Sequence, residues 1–123
     1  MKYLKKFEEL QTNTKFKKDK NGHKYKDGIL TDEKNRGSIR YRIYDDNMLE
    51  FMGSRTDVKY RGQGVFSDLL AQMLNTFKGY KIYVPLSNPT LVPMFLRLGF
   101  EVTEDKLRYW GKPENSVNVT IQN

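Results

Sequence analysis

Ile39, Tyr41 and Ile43 alternate with Arg40, Arg42 and Tyr44. A period of two is that of a strand with one buried face. Asp45, Asp46 and Asn47 follow as a turn, and residues 48–56 read as a second strand that completes a hairpin. Gly53 inside that strand marks a bulge or the close approach of another group. The period then lengthens. Phe66, Leu69, Leu70, Met73, Leu74 and Phe77 fall on one face of a helix predicted over residues 65–77, with Gly79 just past its end. Residues 81–86, rich in Ile, Tyr and Val, predict a strand. Ser87 or Asn88 caps a further helix, Pro89 suits its first turn, and Gly99 stops it near residue 98. Residues 100–103 and 106–110 read as two strands joined through Glu104 and Asp105. Val117, Val119 and Ile121 alternate as a last strand or a frayed tail.

The first 28 residues have a different character. Leu4, Phe7 and Leu10 predict a short amphipathic helix over residues 2–11. Residues 12–28 are polar and carry two turn signals, Asn21-Gly22 and Asp27-Gly28, with room for a short strand at residues 24–26. The expected organisation is a single domain: a basic, partly flexible segment with a short helix over residues 1–28, and a mixed sheet with helices packed on it over residues 29–123.

Charge sharpens that division. The 123-residue chain has a net charge of +7. Residues 1–28 hold nine lysines against four carboxylates, and Lys15, Lys17, Lys18 and Lys20 form the densest patch. Such a patch attracts nucleic acid, an anionic small molecule or an acidic protein without choosing among them, and a solvated loop has the same composition. Cysteine is absent and His23 is the one histidine, which excludes disulfides, thiolate chemistry and a His-rich metal site. No apolar run approaches the ~18 residues of a membrane-spanning helix, and the N-terminus has no signal-peptide pattern, so the expected location is the cytoplasm with no membrane partner.

The chemistry-bearing segment is residues 56–77, where a strand leads through a glycine turn into a helix. Gly62 and Gly64 leave the backbone uncovered, and Arg61 adds a forked cation. Unpaired N–H groups and the positive end of the helix dipole favour a phosphate there. No Gly-Lys-Ser/Thr follows, so this is not the nucleoside-triphosphate loop.

Two motifs together carry a family resemblance. Tyr60-Arg61-Gly62-Gln63-Gly64-Val65, and Asn88 followed by Phe95-Leu96-Arg97-Leu98-Gly99-Phe100, resemble the acyl-CoA turn and the Asn-to-Tyr helix of the GCN5-related N-acetyltransferases (GNAT). The resemblance covers about residues 39–110. It implies an α+β fold with a mixed, mostly antiparallel central sheet flanked by helices, and acetyl-CoA as co-substrate. It places Ser54, Arg55 and Thr56 along the acetyl and pantetheine arm. Arg61, Gly62, Gln63, Gly64, Val65 and Phe66 would lie around the pyrophosphate, with Asn88 on the pantetheine. Transfer to an amine would proceed by direct attack in a ternary complex.

The departures bear on catalysis. Phe66 stands where the family has a small residue, Phe95 replaces the tyrosine that protonates the leaving thiolate, and Tyr83 replaces a carboxylate that some members place before the asparagine. Glu50 lies where several members carry a general base, and an exposed residue paired with Arg40 or Arg42 is the competing reading. Tyr83 is the remaining candidate acid, with a packed aromatic as its alternative. The basic rim disfavours cationic acceptors and suits an acidic protein, a nucleotide-bearing substrate or a nucleic acid. Two rival readings use the same residues: a CoA-binding regulator or antagonist without activity, and a nucleic-acid-binding or nucleic-acid-modifying protein.

Overall fold

The alternation centred on Tyr41 builds the middle of the sheet. The computed structural model describes residues 16–109 and 116–123. The helix expected at residues 2–11, together with Lys15 and Trp110, lies outside them. The strands are β1 (Lys17–Lys18), β2 (Lys24–Thr31), β3 (Gly37–Tyr44), β4 (Met48–Thr56), β5 (Lys81–Leu86), β6 (Glu101–Thr103) and β7 (Val117–Gln122). They form a seven-stranded sheet in the order β1-β2-β3-β4-β5-β7-β6. Every pairing is antiparallel except β4 with β5. This is the mixed, mostly antiparallel α+β sheet that the patterning and the resemblance imply.

Among the described residues, both α-helices cover one face. Helix α1 (Val65–Thr76) buries Val65, Leu69, Leu70 and Met73 against Ile39, Tyr41 and Ile43 of β3 and Leu49 and Phe51 of β4. A 12-residue helix is marginal alone. Full burial of each large apolar side chain is worth about 2 kcal/mol, so packing makes this helix rather than propensity. The second predicted helix divides. A 3-10 turn spans Pro89–Leu91 and α2 spans Val92–Arg97, with Pro93 in its opening turn, where a missing N–H does no harm. Among the described residues no helix is long and apolar enough to cross a membrane.

Two expectations need correction, and the alternative left open for the last strand is decided. The Asp27-Gly28 pair is not a turn; it lies inside the eight-residue β2, opposite Arg42 and Tyr41. Gly28 is there for space, because a Cβ would sit 2.4 Å from Tyr41 Cζ. Lys17–Lys18 and Lys24–Thr31 therefore belong to the sheet, and β2 runs on past residue 28. The described part of the strand expected at residues 106–110 is a turn with one isolated bridge at Leu107. Its backbone donors serve a carboxylate instead of a neighbouring strand, as described below. The last strand is no frayed tail: β7 enters between β5 and β6, with Val119 fully buried.

The turn joining β2 to β3 is held by one ion pair. The buried Asp32 carboxylate accepts from Arg36 Nε at 2.7 Å and Nη2 at 3.0 Å, and also from the Lys34 and Arg36 N–H groups. Arg36 Nη2 reaches Asp68 on α1 at 3.3 Å and ties the turn to the helix. The Arg36 hydrogen bonds, against the cost of burial, hold the Asp32 carboxyl down to about 2. A lowered carboxylate stabilises the fold above its unfolded value and loses that contribution as pH falls through the folded one. Asp32→Asn is therefore expected to lower stability by about 1–2 kcal/mol at pH 7, with the deficit closing between about pH 4 and 2. Thermal melts of both proteins across that range test it, and a deficit unchanged at pH 2.5 refutes it.

Candidate active site

The site begins where two strands part. β4 and β5 share three parallel rungs, Met48–Lys81, Leu49–Ile82 and Glu50–Tyr83, and no more. The cause is visible one strand away. Arg40 pairs with Gly53 and Tyr41 with Phe51, so Met52 is an extra residue on β4. A bulge of this kind bends its strand and sharpens the twist. Beyond it, residues 51–56 continue against β3 alone, and residues 84–86 pair only with β7. Backbone N–H and C=O groups of both strands consequently face a gap. Ser54 and Arg55 are exposed at its rim and Thr56 is half-buried.

The glycine turn lies at the carboxyl end of β4, beside that gap. A 3-10 turn (Val58–Tyr60) leads through extended Arg61 to Gly62 and Gly64, with φ of +79° and +78°. Both angles lie in the left-handed region that glycine alone enters without cost. A Cβ on either residue would meet nothing within 4 Å, so the space above them is open. Gly64 caps α1 without a side chain to occupy its first donors. The Asp68 N–H makes the helix's first bond, to the Gly64 carbonyl at 3.0 Å, which leaves the N–H groups of Val65, Phe66 and Ser67 ahead of the ladder. The Gln63 amide donates to the Lys59 carbonyl at 3.2 Å and closes the turn. Arg61 is exposed beside it. The Phe66 ring turns inward, edge-on to Phe51 at 6.3 Å and Phe95 at 6.4 Å, and leaves the turn's outer side clear.

Asn88 follows β5 at the same end of the sheet. Its Oδ1 accepts from the Thr90 N–H at 3.1 Å and the Thr90 hydroxyl at 2.7 Å, which caps the Pro89–Leu91 turn. The residues expected around the acyl carrier thus gather at the carboxyl ends of the two diverging strands. Phe95 does not join them. It is fully buried, packed edge-on to Phe100 at 5.1 Å, and has no proton to give.

Glu50 and Tyr83 meet at the last shared rung, on the sheet face away from the helices. That rung is polar across six strands: Asp27, Arg42, Glu50, Tyr83, Thr120 and Glu101. Arg42 donates to Asp27 at 2.8 Å, and its guanidinium stacks between the rings of Tyr25 at 3.7 Å and Tyr109 at 4.5 Å. Glu50 is fully buried and not the exposed strand residue of the competing expectation. It accepts from the Arg108 N–H at 2.5 Å and the Tyr109 N–H at 3.0 Å. Burial pushes its carboxyl up, against the pull of those two donors and of the Arg108 and Arg42 charges. Tyr83 donates its hydroxyl to Asp105 at 3.0 Å. Burial, then the Glu50 charge, push the neighbouring Tyr44 phenol up to about 12.

Asp105, Arg108 and Tyr109 thus belong to the polar face; in the sequence Tyr109 reads as a core or pocket-wall aromatic, Asp105 as part of a connection and Arg108 as a strand residue, and none of these patterns points to Glu50. His23 stays on the periphery, 3.3 Å from Asp19 and edge-on to Tyr44. Lys17, Lys18 and Lys20 are exposed on and beside the edge strand β1. Three strand spacings, about 14 Å, separate β1 from β4.

No family model and no curated protein sequence matches the chain. Solved structures do. A GNAT-family protein from Bacteroides thetaiotaomicron superposes with a TM-score of 0.61 at 16% identity, over 99% of this chain and 81% of its own. The ribosomal-protein-S18-alanine N-acetyltransferase from Escherichia coli gives 0.59 at 16% identity, over 79% and 68%. A Klebsiella pneumoniae protein described as an acyl-CoA N-acyltransferase gives 0.59 at 12% identity, over 97% and 86%. With its split parallel pair and the glycine turn beside it, the chain has the fold of the GCN5-related N-acetyltransferases.

Proposed function

We propose that this protein transfers an acetyl group from acetyl-CoA to an amine. One observation carries the reading: the open Gly62–Gly64 turn and the parted β4–β5 edges lie at the same end of the sheet. Bare N–H groups at a helix start suit a pyrophosphate, with Arg61 as counter-charge. Unpaired strand edges suit an arm that carries amides of its own. The thioester carbonyl would lie in the gap near Thr56, where backbone donors stabilise the oxyanion. The amine nitrogen attacks the carbonyl carbon, the carbon–sulfur bond breaks, and the proton lost from nitrogen balances the thiolate.

The acceptor side of the family is shaped by two helices ahead of the sheet's centre. Here β2 passes to β3 through residues 32–36 with no helix between them. The connection on that side is short, and the lysine edge at β1 suits an acceptor that is acidic, such as an acidic protein, a nucleotide-bearing substrate or a nucleic acid. A second reading, a CoA-binding regulator without turnover, is favoured by the burial of Phe95 where the family has its acid.

Acetyl-CoA is expected to raise the melting temperature, and Gly64→Glu to abolish the rise by setting a carboxylate against the phosphates, with the ligand-free melt as control for folding. An undiminished rise in the variant places the anion elsewhere. Thiol release on adding a panel of amines separates the enzyme from the regulator. Tyr83→Phe is expected to cost about 1 kcal/mol through its lost bond to Asp105. Acetyl-CoA affinity should not change, and a large loss of affinity by calorimetry would move Tyr83 into the binding site.

A further inference from the structure

Residues 105–109 cross the polar face of the sheet and are fastened there at three points. Asp105 accepts from the Tyr83 hydroxyl at 3.0 Å through its carboxylate, and from Asn118 Nδ2 at 3.2 Å through its carbonyl. The Arg108 guanidinium forks onto Asp46 in the β3–β4 turn at 3.0 and 2.5 Å and stacks over Tyr44 at 4.6 Å. Between these points the main chain donates its Arg108 and Tyr109 N–H groups to the two oxygens of Glu50. Both residues lie in the turn that follows the single bridge at Leu107. Glu50 is the partner the structure gives them, and it is itself fully buried with one oxygen committed to each.

A general base must come within reach of the amine, directly or through one water, and Glu50 is fully buried beneath residues 105–109. A fully buried carboxylate with both oxygens engaged by backbone donors does other work well: a charged acceptor bonds N–H groups about twice as strongly as a neutral one and fixes their geometry. Through the Tyr109 N–H it also sets the Tyr109 ring, half-exposed, on the Arg42–Tyr25 stack, next to the rung where β4 and β5 part.

We infer that Glu50 is a positioning residue, a latch that holds residues 105–109 across the sheet as one wall of the acceptor side, and that it takes no proton from the amine. The second half rests on the acetyl-transfer reading; the latch itself does not.

Two measurements separate the halves. In hydrogen exchange, the Arg108 and Tyr109 amides are expected to be protected in the wild type, and Glu50→Gln, whose amide can accept only one of them, to speed the pair at least about tenfold while α1 amides change less than about threefold. Uniform acceleration everywhere, or none at 108 and 109, overturns the latch. Asp46→Ala removes the guanidinium anchor and leaves Glu50 in place, so protection at 108 and 109 should persist; its loss there overturns the latch even if the Glu50 variant fails to fold.

For the chemistry, acetyl transfer is followed to ethanolamine, a cation at pH 7, and to hydroxylamine, which is neutral there. A positioning role predicts that Glu50→Gln changes both rates by the same factor. A loss at least about tenfold larger for ethanolamine makes Glu50 the base and overturns the inference. Failure of the wild type to acetylate either amine would count against the acetyl-transfer reading, while the exchange experiment still decides the latch.

Discussion

The break in the β4–β5 ladder is the constraint on which the rest depends. A parallel pair of strands normally satisfies its main chain along its whole length, and a buried N–H or C=O left without a partner costs about 1–3 kcal/mol. This sheet gives up that pairing after three rungs. The extra residue at Met52 bends β4 away while β3 keeps it in the sheet on its other side. The insertion of β7 beside β5 does the same for the second strand, since residues 84–86 pair with β7 through Val117. Each diverging strand is therefore held by an outer neighbour, so the gap is a stable feature and not a frayed edge.

The two faces of the sheet divide the labour. One face is an apolar layer under both helices, from Ile39 on β3 to Val119 on β7. The other is polar, and its charged groups are matched in place: Arg42 with Asp27, Arg108 with Asp46, Tyr83 with Asp105 and Glu50 with two backbone donors. A buried carboxylate without such partners would cost several kcal/mol. The three fastenings of residues 105–109 are therefore coupled to the sheet's centre, and the strap that covers Glu50 also makes its ionised form tolerable.

Local periodicity made most of the frame legible. Residues 48–56 and 81–86 emerge as strands with the boundaries their patterning predicts, and the helix at residues 65–77 differs only in its last residue, Phe77, which caps it. Failures occurred where a residue answers to a distant partner. Gly28 has the local signature of a turn, but Tyr41 across the sheet dictates it. Residues 106–109 have a strand-like composition, but Glu50, some 58 positions earlier, takes their donors. The glycine turn was readable because φ above zero is written locally as glycine. The committed state of Glu50 was not, because burial and backbone donors from another element leave no trace in the strand's own pattern.

On the acetyl-transfer reading, the site lacks an acid at Phe95 and holds its best carboxylate engaged, and magnitudes decide whether that is fatal. General acid–base help is worth about 10²–10⁴ in rate, or about 3–5 kcal/mol. An alkyl amine with a pKa of about 10.4 is neutral in only a few parts in ten thousand at pH 7, a deficit of about 4.6 kcal/mol. Holding two reactants in line recovers about 7–11 kcal/mol. Positioning thus outweighs the cost of drawing the neutral amine from solution. An enzyme of this design would invest in fixed geometry over proton transfer. A fork between Arg108 and Asp46, an Arg42 guanidinium clamped between two tyrosine rings and a buried carboxylate gripping the main chain are fixed geometry of that kind, the last two on the rung where the two strands separate.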